Sequence, residues 1–127
     1  MPLTGCAAEI EKQASIIFDF EVTNKNCENF IEVHENFGKS RNYIVDTRQT
    51  SSRLGIYNLF LVGNGIQIAG SNILTNPCYY QLSLFRLLKG ERQSDEMLRS
   101  LAADYTQAME KSEFIRLEYY KEQFDID

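Results

Sequence analysis

From Gly55 to Phe85 the chain carries no charged side chain, and this stretch constrains the fold more than any other feature. Apolar chain without charge is driven out of water, so it belongs in an interior. A membrane span is the wrong interior. Asn58, Gly63, Asn64, Gly65, Gln67, Gly70, Asn72, Asn76 and Pro77 interrupt it well short of the roughly 18 consecutive apolar residues a spanning helix needs. Residues 55–62, GIYNLFLV, are apolar on both faces apart from Asn58, which suits a central strand. Gly63-Asn64-Gly65 follows, and Ile66–Ala69 resumes extended chemistry. An Asn-Gly pair between two apolar runs predicts a hairpin, because both residues tolerate positive φ.

On the N-terminal side, residues 4–14 read as a short helix with Thr4 as N-cap and Ala7, Ile10 and Ala14 on one face. In Ser15–Val22, Ile16, Phe18, Phe20 and Val22 alternate with Ser15, Ile17, Asp19 and Glu21, which predicts a half-buried strand. A helix continuing through Phe18 is the rival reading. Residues 28–35 and 41–47 read as two further strands, although Cys27, Phe30, Ile31 and His34 also fit one helical face.

On the C-terminal side the same reasoning predicts two helices. Asn76-Pro77 looks like a cap followed by proline at the first helical position, with the apolar run Tyr79–Leu88 ending at Gly90. Ser94 opens the second. Asp95 and Glu96 suit its positive end, and Leu98, Leu101, Tyr105, Ala108, Ile115 and Tyr119 repeat at helical spacing as far as about Phe124. About thirty residues of helix would be roughly 45 Å long. A domain of this size is roughly 35 Å across. The helix must therefore break near Lys111-Ser112 or carry its aromatic end onto something else. The predicted fold is a single α+β domain over residues 1–127: a short N-terminal helix, an antiparallel sheet of four to five strands, and two C-terminal helices on one face. A mostly α fold is the runner-up.

Charge narrows the function classes. The net charge is −5, and an acidic chain repels phosphate at long range, so nucleic acid is an unfavoured partner. Basic residues concentrate instead in GKSRNYIVDTRQTSSR, residues 38–53. Arg41, Tyr43, Arg48 and Arg53 in that segment suit an acidic protein surface, including the acidic C-terminal half of a second copy. The plainer reading of the segment is a solvated strand and loop. Phe114, Tyr119, Tyr120 and Phe124 make the second candidate contact surface, because aromatic side chains left in water form an adhesive patch; the plainer reading has them docking on their own sheet.

Catalytic and metal chemistry find little footing. His34 is the one histidine, and Cys6, Cys27 and Cys78 stand in no local signature with it. No paired cysteine spacing marks a zinc site. Glu28, Glu32 and Glu35 could face a hard cation if they lie on a helix, but a solvated acidic face is the plainer reading. LFLVGNG lacks the third glycine of a dinucleotide loop, since Ile68 stands there. No cofactor is expected. Three cysteines, an odd count, suggest free thiols in a reducing compartment and hence a cytoplasmic protein, and the start of the chain lacks the pattern of a signal peptide. The expected function is a non-enzymatic protein-binding module (an inhibitor, immunity protein, chaperone or adaptor) that acts through an acidic surface and an aromatic-rich C-terminal helix on another protein or a second copy of itself. The alternative is a small-ligand domain with a pocket between sheet and helices, and an enzyme using carboxylates or tyrosine is a third class.

Overall fold

The computed structural model describes residues 14–87 and 94–124. Its elements are β1 (Ser15–Val22), α1 (Asn29–Ser40), β2 (Ile44–Ser51), β3 (Ile56–Gly63), β4 (Ile66–Ile73), β5 (Asn76–Arg86), α2 (Asp95–Glu110) and β6 (Ile115–Gln123). The strands form one sheet in the order β2-β3-β4-β5-β1-β6, every neighbouring pair antiparallel. The chain lays down β1, crosses over through α1, and returns as a four-strand meander that ends beside β1. Through α2 it then adds β6 to the free side of β1.

The class is α+β, but the element count differs from expectation. Six strands stand where four or five are predicted. The predicted helix over 4–14 lies outside the described residues. Residues 28–35 belong to a helix: Phe30, His34, Phe37 and Gly38 are the buried positions of α1, at helical spacing. Residues 79–86 of the predicted 79–88 helix are strand. Tyr80, Leu82, Leu84 and Arg86 point into the core while Tyr79, Gln81, Ser83 and Phe85 point out, which is a strand's period of two. Asn76 does act as a local acceptor, its Oδ1 taking the Cys78 N–H at 3.1 Å, but that Asx turn opens β5. The long last helix is two elements. Ser94 caps α2 as predicted, accepting from the Met97 N–H at 3.1 Å. The helix stops at Glu110, and residues 115–123 pair with β1 from Val22↔Ile115 to Ser15↔Gln123. Folding back as a strand resolves the overhang that one helix would have had.

The hairpin at Asn64-Gly65 forms as the sequence indicates, with φ of 52° and 75°, the left-handed pair a tight two-residue turn requires. At the sheet's centre Gly70 has another role. A Cβ there would stand 2.0 Å from the Gln81 carbonyl oxygen and 2.7 Å from the Leu82 Cα, both on β5. Because the obstacles are backbone, Gly70→Ala is expected to cost about 1–3 kcal/mol or more by pushing β4 and β5 apart. A urea midpoint equal to that of the native chain would contradict this.

Both helices lie on the face carrying Ile16, Phe18, Phe20, Leu59, Leu61, Ile68, Tyr80, Leu82 and Leu84, all with essentially no exposed surface. Aromatic rings fill the space between. Phe30 stacks on Tyr80 at 4.3 Å between centroids, Phe18 on Tyr105 at 5.4 Å, and Phe37 meets Tyr105 edge-on at 5.1 Å. Such ring pairs add about 0.5–1.5 kcal/mol each beyond the area they bury. One end of the sheet is held by polar chemistry. Asn72, nearly buried on β4, donates through Nδ2 to the carbonyls of Gly55 and Pro77 and accepts the Tyr57 N–H, fastening two turns to one side chain. At that same end Cys27 and Cys78 are joined in a disulfide, so two of the three cysteines are not free thiols. The cysteines meet because α1 starts where β5 starts, although 51 positions separate them in sequence.

Candidate interaction surface

Alternation along each strand that sends one set of side chains into the core sends the other set to the opposite face. Neither described helix covers that face. Its registers align three rows: Ile44, Val62, Gln67, Phe85 and Ser15; then Asp46, Phe60, Ala69, Ser83, Ile17 and Lys121; then Arg48, Asn58, Ser71, Gln81, Asp19 and Tyr119. The β2–β3 side of the face is its most water-exposed apolar part. Ile44 is 71% exposed, Phe60 is 38% exposed, and Val62 lies directly across from Ile44. Arg48 and Asp46 rim this patch with an ion pair of 3.0 Å. At the other side Tyr79 donates to Asp19 at 2.8 Å, and the carboxylate holds the phenol's proton, pushing its pKa up to about 12. Arg116 there reaches Glu21 at 3.1 Å and also pairs with Glu118.

The two groups of residues singled out in the sequence fall at the two edges of the described sheet. Arg41, Tyr43, Arg48 and Arg53 follow β2 from before its first residue to past its last. Arg41 holds Asp104 of α2 through two bonds of 2.6 Å and lies over the Phe37 ring at 4.1 Å, so it also clamps the helices together. Tyr43 is half-buried, edge-on to Phe37, with its hydroxyl accepting from Asn64. Arg48 projects from β2 and Arg53 from the turn after it, both exposed. Phe114, Tyr119, Tyr120 and Phe124 gather at β6, the opposite edge. There the Arg99 guanidinium lies 4.6 Å over the Phe124 ring, and Tyr120 donates to Glu122. The structure therefore does not bring the basic group and the aromatic group into one surface. Sequence reasoning missed Ile44, Phe60 and Val62, which become a patch only once the β2–β3 register is known.

His34 is not part of either surface. It has no exposed area, and its Nδ1 lies 2.8 Å from the Tyr105 hydroxyl. Burial lowers its pKa to about 4; the backbone of Phe60 and the charge of Glu35 oppose the drop without cancelling it. The ring is therefore neutral near pH 7. We assign the Tyr105 O–H as the donor, which leaves the ring proton on Nε2. Nε2 completes no hydrogen bond of its own, although the Phe60 backbone is near enough to be felt. Burial also raises the Tyr105 pKa well above that of a free phenol. A substrate in solution cannot touch either group. Just before α1, Glu28 is taken by the Tyr57 hydroxyl at 2.5 Å. Among the described residues no three His, Cys, Asp or Glu side chains gather closely enough to hold a metal ion. No described helix is long and apolar enough to cross a membrane.

No model of a known protein family matches this chain, and no curated protein is detectably similar to it.

Proposed function

We propose that this chain is a non-enzymatic protein-binding module whose partner sits against the β2–β3 side of the open sheet face. The observation that carries the reading is the patch of Ile44, Phe60 and Val62, exposed on a face that no described helix covers and rimmed by Arg48 and Asp46. An apolar centre with a charged rim is the general anatomy of a protein interface. Arg53 and the acidic remainder of the chain give the rim a mixed charge that speeds encounter with a complementary partner. The one histidine is sealed in the core, and ring stacks occupy the space between sheet and helices. The imidazole-enzyme and deep-pocket readings therefore draw no support from either place. The cytoplasmic setting inferred from free thiols loses its ground with Cys27 and Cys78 bonded, and an oxidising compartment suits that bond better.

Affinity capture tests the proposal. The tagged native chain should recover a protein in stoichiometric amount, and Ile44→Asp/Phe60→Asp should recover at least about tenfold less, as a carboxylate at an interface centre does. Both positions are exposed, so the variant's melting temperature should stay within a few degrees. Undiminished capture by the double variant would overturn the placement of the surface.

A further inference from the structure

We propose that the partner seated at the β2 edge is a second copy of this chain, joined strand to strand by antiparallel β2–β2 pairing centred on Thr47. The inference rests on reading the β2 side of the sheet as a binding surface, and it names the occupant of its edge.

The sheet has two edges, and they are not equivalent. β6 is broken up along its length by Arg116, Glu118, Lys121 and Glu122, whereas a register shift is common to both edges, at Asp19/Phe20 beside β6 and at Gln49/Ser51 in β2. Charges spread along a strand are a usual protection of an edge. β2 has eight residues, no proline and only two charges, Asp46 and Arg48. Among the described residues it hydrogen-bonds to β3 alone, so no described strand lies beside the other side of its backbone.

Those two charges specify a register. A two-fold axis through an edge strand keeps side chains on their own faces only when it passes through a residue. Centred on Asp46 it would oppose two carboxylates, and centred on Arg48 two guanidinium groups. Centred on Thr47 it sets Asp46 across from the other copy's Arg48, twice, and it pairs residues 44–50 of each chain. Opposite charges directly across a strand pair stabilise it and like charges destabilise it. The Asp46–Arg48 ion pair within one strand, at 3.0 Å, thereby becomes a four-charge cluster of alternating sign. Thr47 stands on the axis itself, and its hydroxyl makes no hydrogen bond among the described residues. In this pairing two Thr47 side chains lie opposite each other, and a turn of each about its Cα–Cβ bond toward the axis lets one hydroxyl donate to the other. The product is a continuous twelve-stranded sheet with all helices on one face and Ile44, Phe60 and Val62 of both copies on the other. The closed two-fold contact leaves each β2 with no edge to offer a third copy.

Sedimentation equilibrium on the full chain tests this by charge exchange. The native chain should be a dimer at micromolar to hundred-micromolar concentration. Asp46→Arg alone and Arg48→Asp alone should each weaken association by about tenfold or more, since each places like charges across the axis twice. Asp46→Arg/Arg48→Asp in one chain should restore the native dissociation constant to within about threefold, because the opposite-charge pairs return with signs exchanged. Glu118→Arg on β6 should leave the mass unchanged. All four are surface changes, and circular dichroism with thermal melting verifies the fold. A native chain that stays monomeric throughout, single reversals without effect, or a double exchange that fails to restore the dimer would each overturn the proposal. Capture of another protein that Ile44→Asp/Phe60→Asp abolishes would still uphold the open face as a binding surface in a chain that sediments as a monomer, so the two failures are distinguishable.

Discussion

Acidification from pH 6.5 to 4 should remove roughly 3 kcal/mol of folding stability through His34 alone. In the unfolded chain the imidazole titrates near its ordinary value of about 6.5; in the folded chain burial brings it down to about 4. The folded state therefore binds fewer protons across that window, and stability rises with pH there. The contribution is complete above pH 6.5 and is lost as pH falls toward 4, at roughly 1.4 kcal/mol per pH unit where the unfolded ring is charged and the folded ring is not. Carboxylates titrate in the lower half of the same window, so the informative quantity is a difference between two proteins. His34→Gln keeps a polar group beside the Tyr105 hydroxyl and cannot titrate here. It should be less stable than the native chain at pH 7 by about 1–3 kcal/mol, through imperfect pairing of that hydroxyl. The gap should narrow or reverse at pH 4.5, because the variant has no ring to protonate. Urea unfolding across the pH series reads both slopes. Parallel slopes for the two proteins would mean that His34 is not buried as described.

The second large effect belongs to the disulfide. Reduction, or Cys27→Ser/Cys78→Ser, should lower stability by about 4 kcal/mol, the loop-closure entropy of a chain joined across 51 positions. The bond fixes the segment before α1 to the first residues of β5, where the Tyr80 hydroxyl also donates to the Cys27 carbonyl at 2.7 Å. That hydrogen bond survives reduction, so the folded form should persist with a lower midpoint. Cys27→Ser alone should cost as much as the double variant, since either removes the bond. An unfolding midpoint insensitive to reductant would contradict this account, as would alkylation of Cys27 and Cys78 in the folded chain without prior reduction.

Local chemistry in the sequence identifies the elements whose signals are themselves local. Asn64-Gly65 specifies its turn through φ, Ser94 caps α2 through a bond three residues away, and β1 alternates because one of its faces is wholly buried. Errors arise where two periods fit the same residues. Tyr79–Leu88 is apolar enough to satisfy a helix, and the alternation of Tyr80, Leu82 and Leu84 decides the matter only when β1 and β4 stand on either side. Residues 115–123 continue the spacing of α2 on paper, yet Ile115 and Leu117 find the edge of β1, which no local pattern announces. The Cys27–Cys78 bond, joining positions 51 apart, is likewise set by topology alone. For the surface, Arg41, Tyr43, Arg48 and Arg53 were legible as a basic cluster because they are close in sequence. The patch they border was not legible, since Ile44 meets Val62 across strands and Phe60 is one outward residue within an apolar run.

Hydrogen exchange by mass spectrometry on the chain free and in its complex tests the location of the binding surface most directly. If the account is right, protection on binding concentrates in residues 44–63, with β2 amides slowing most and α2 and β6 unchanged. Protection confined to α2 or β6, with residues 44–63 exchanging alike in both states, would contradict it.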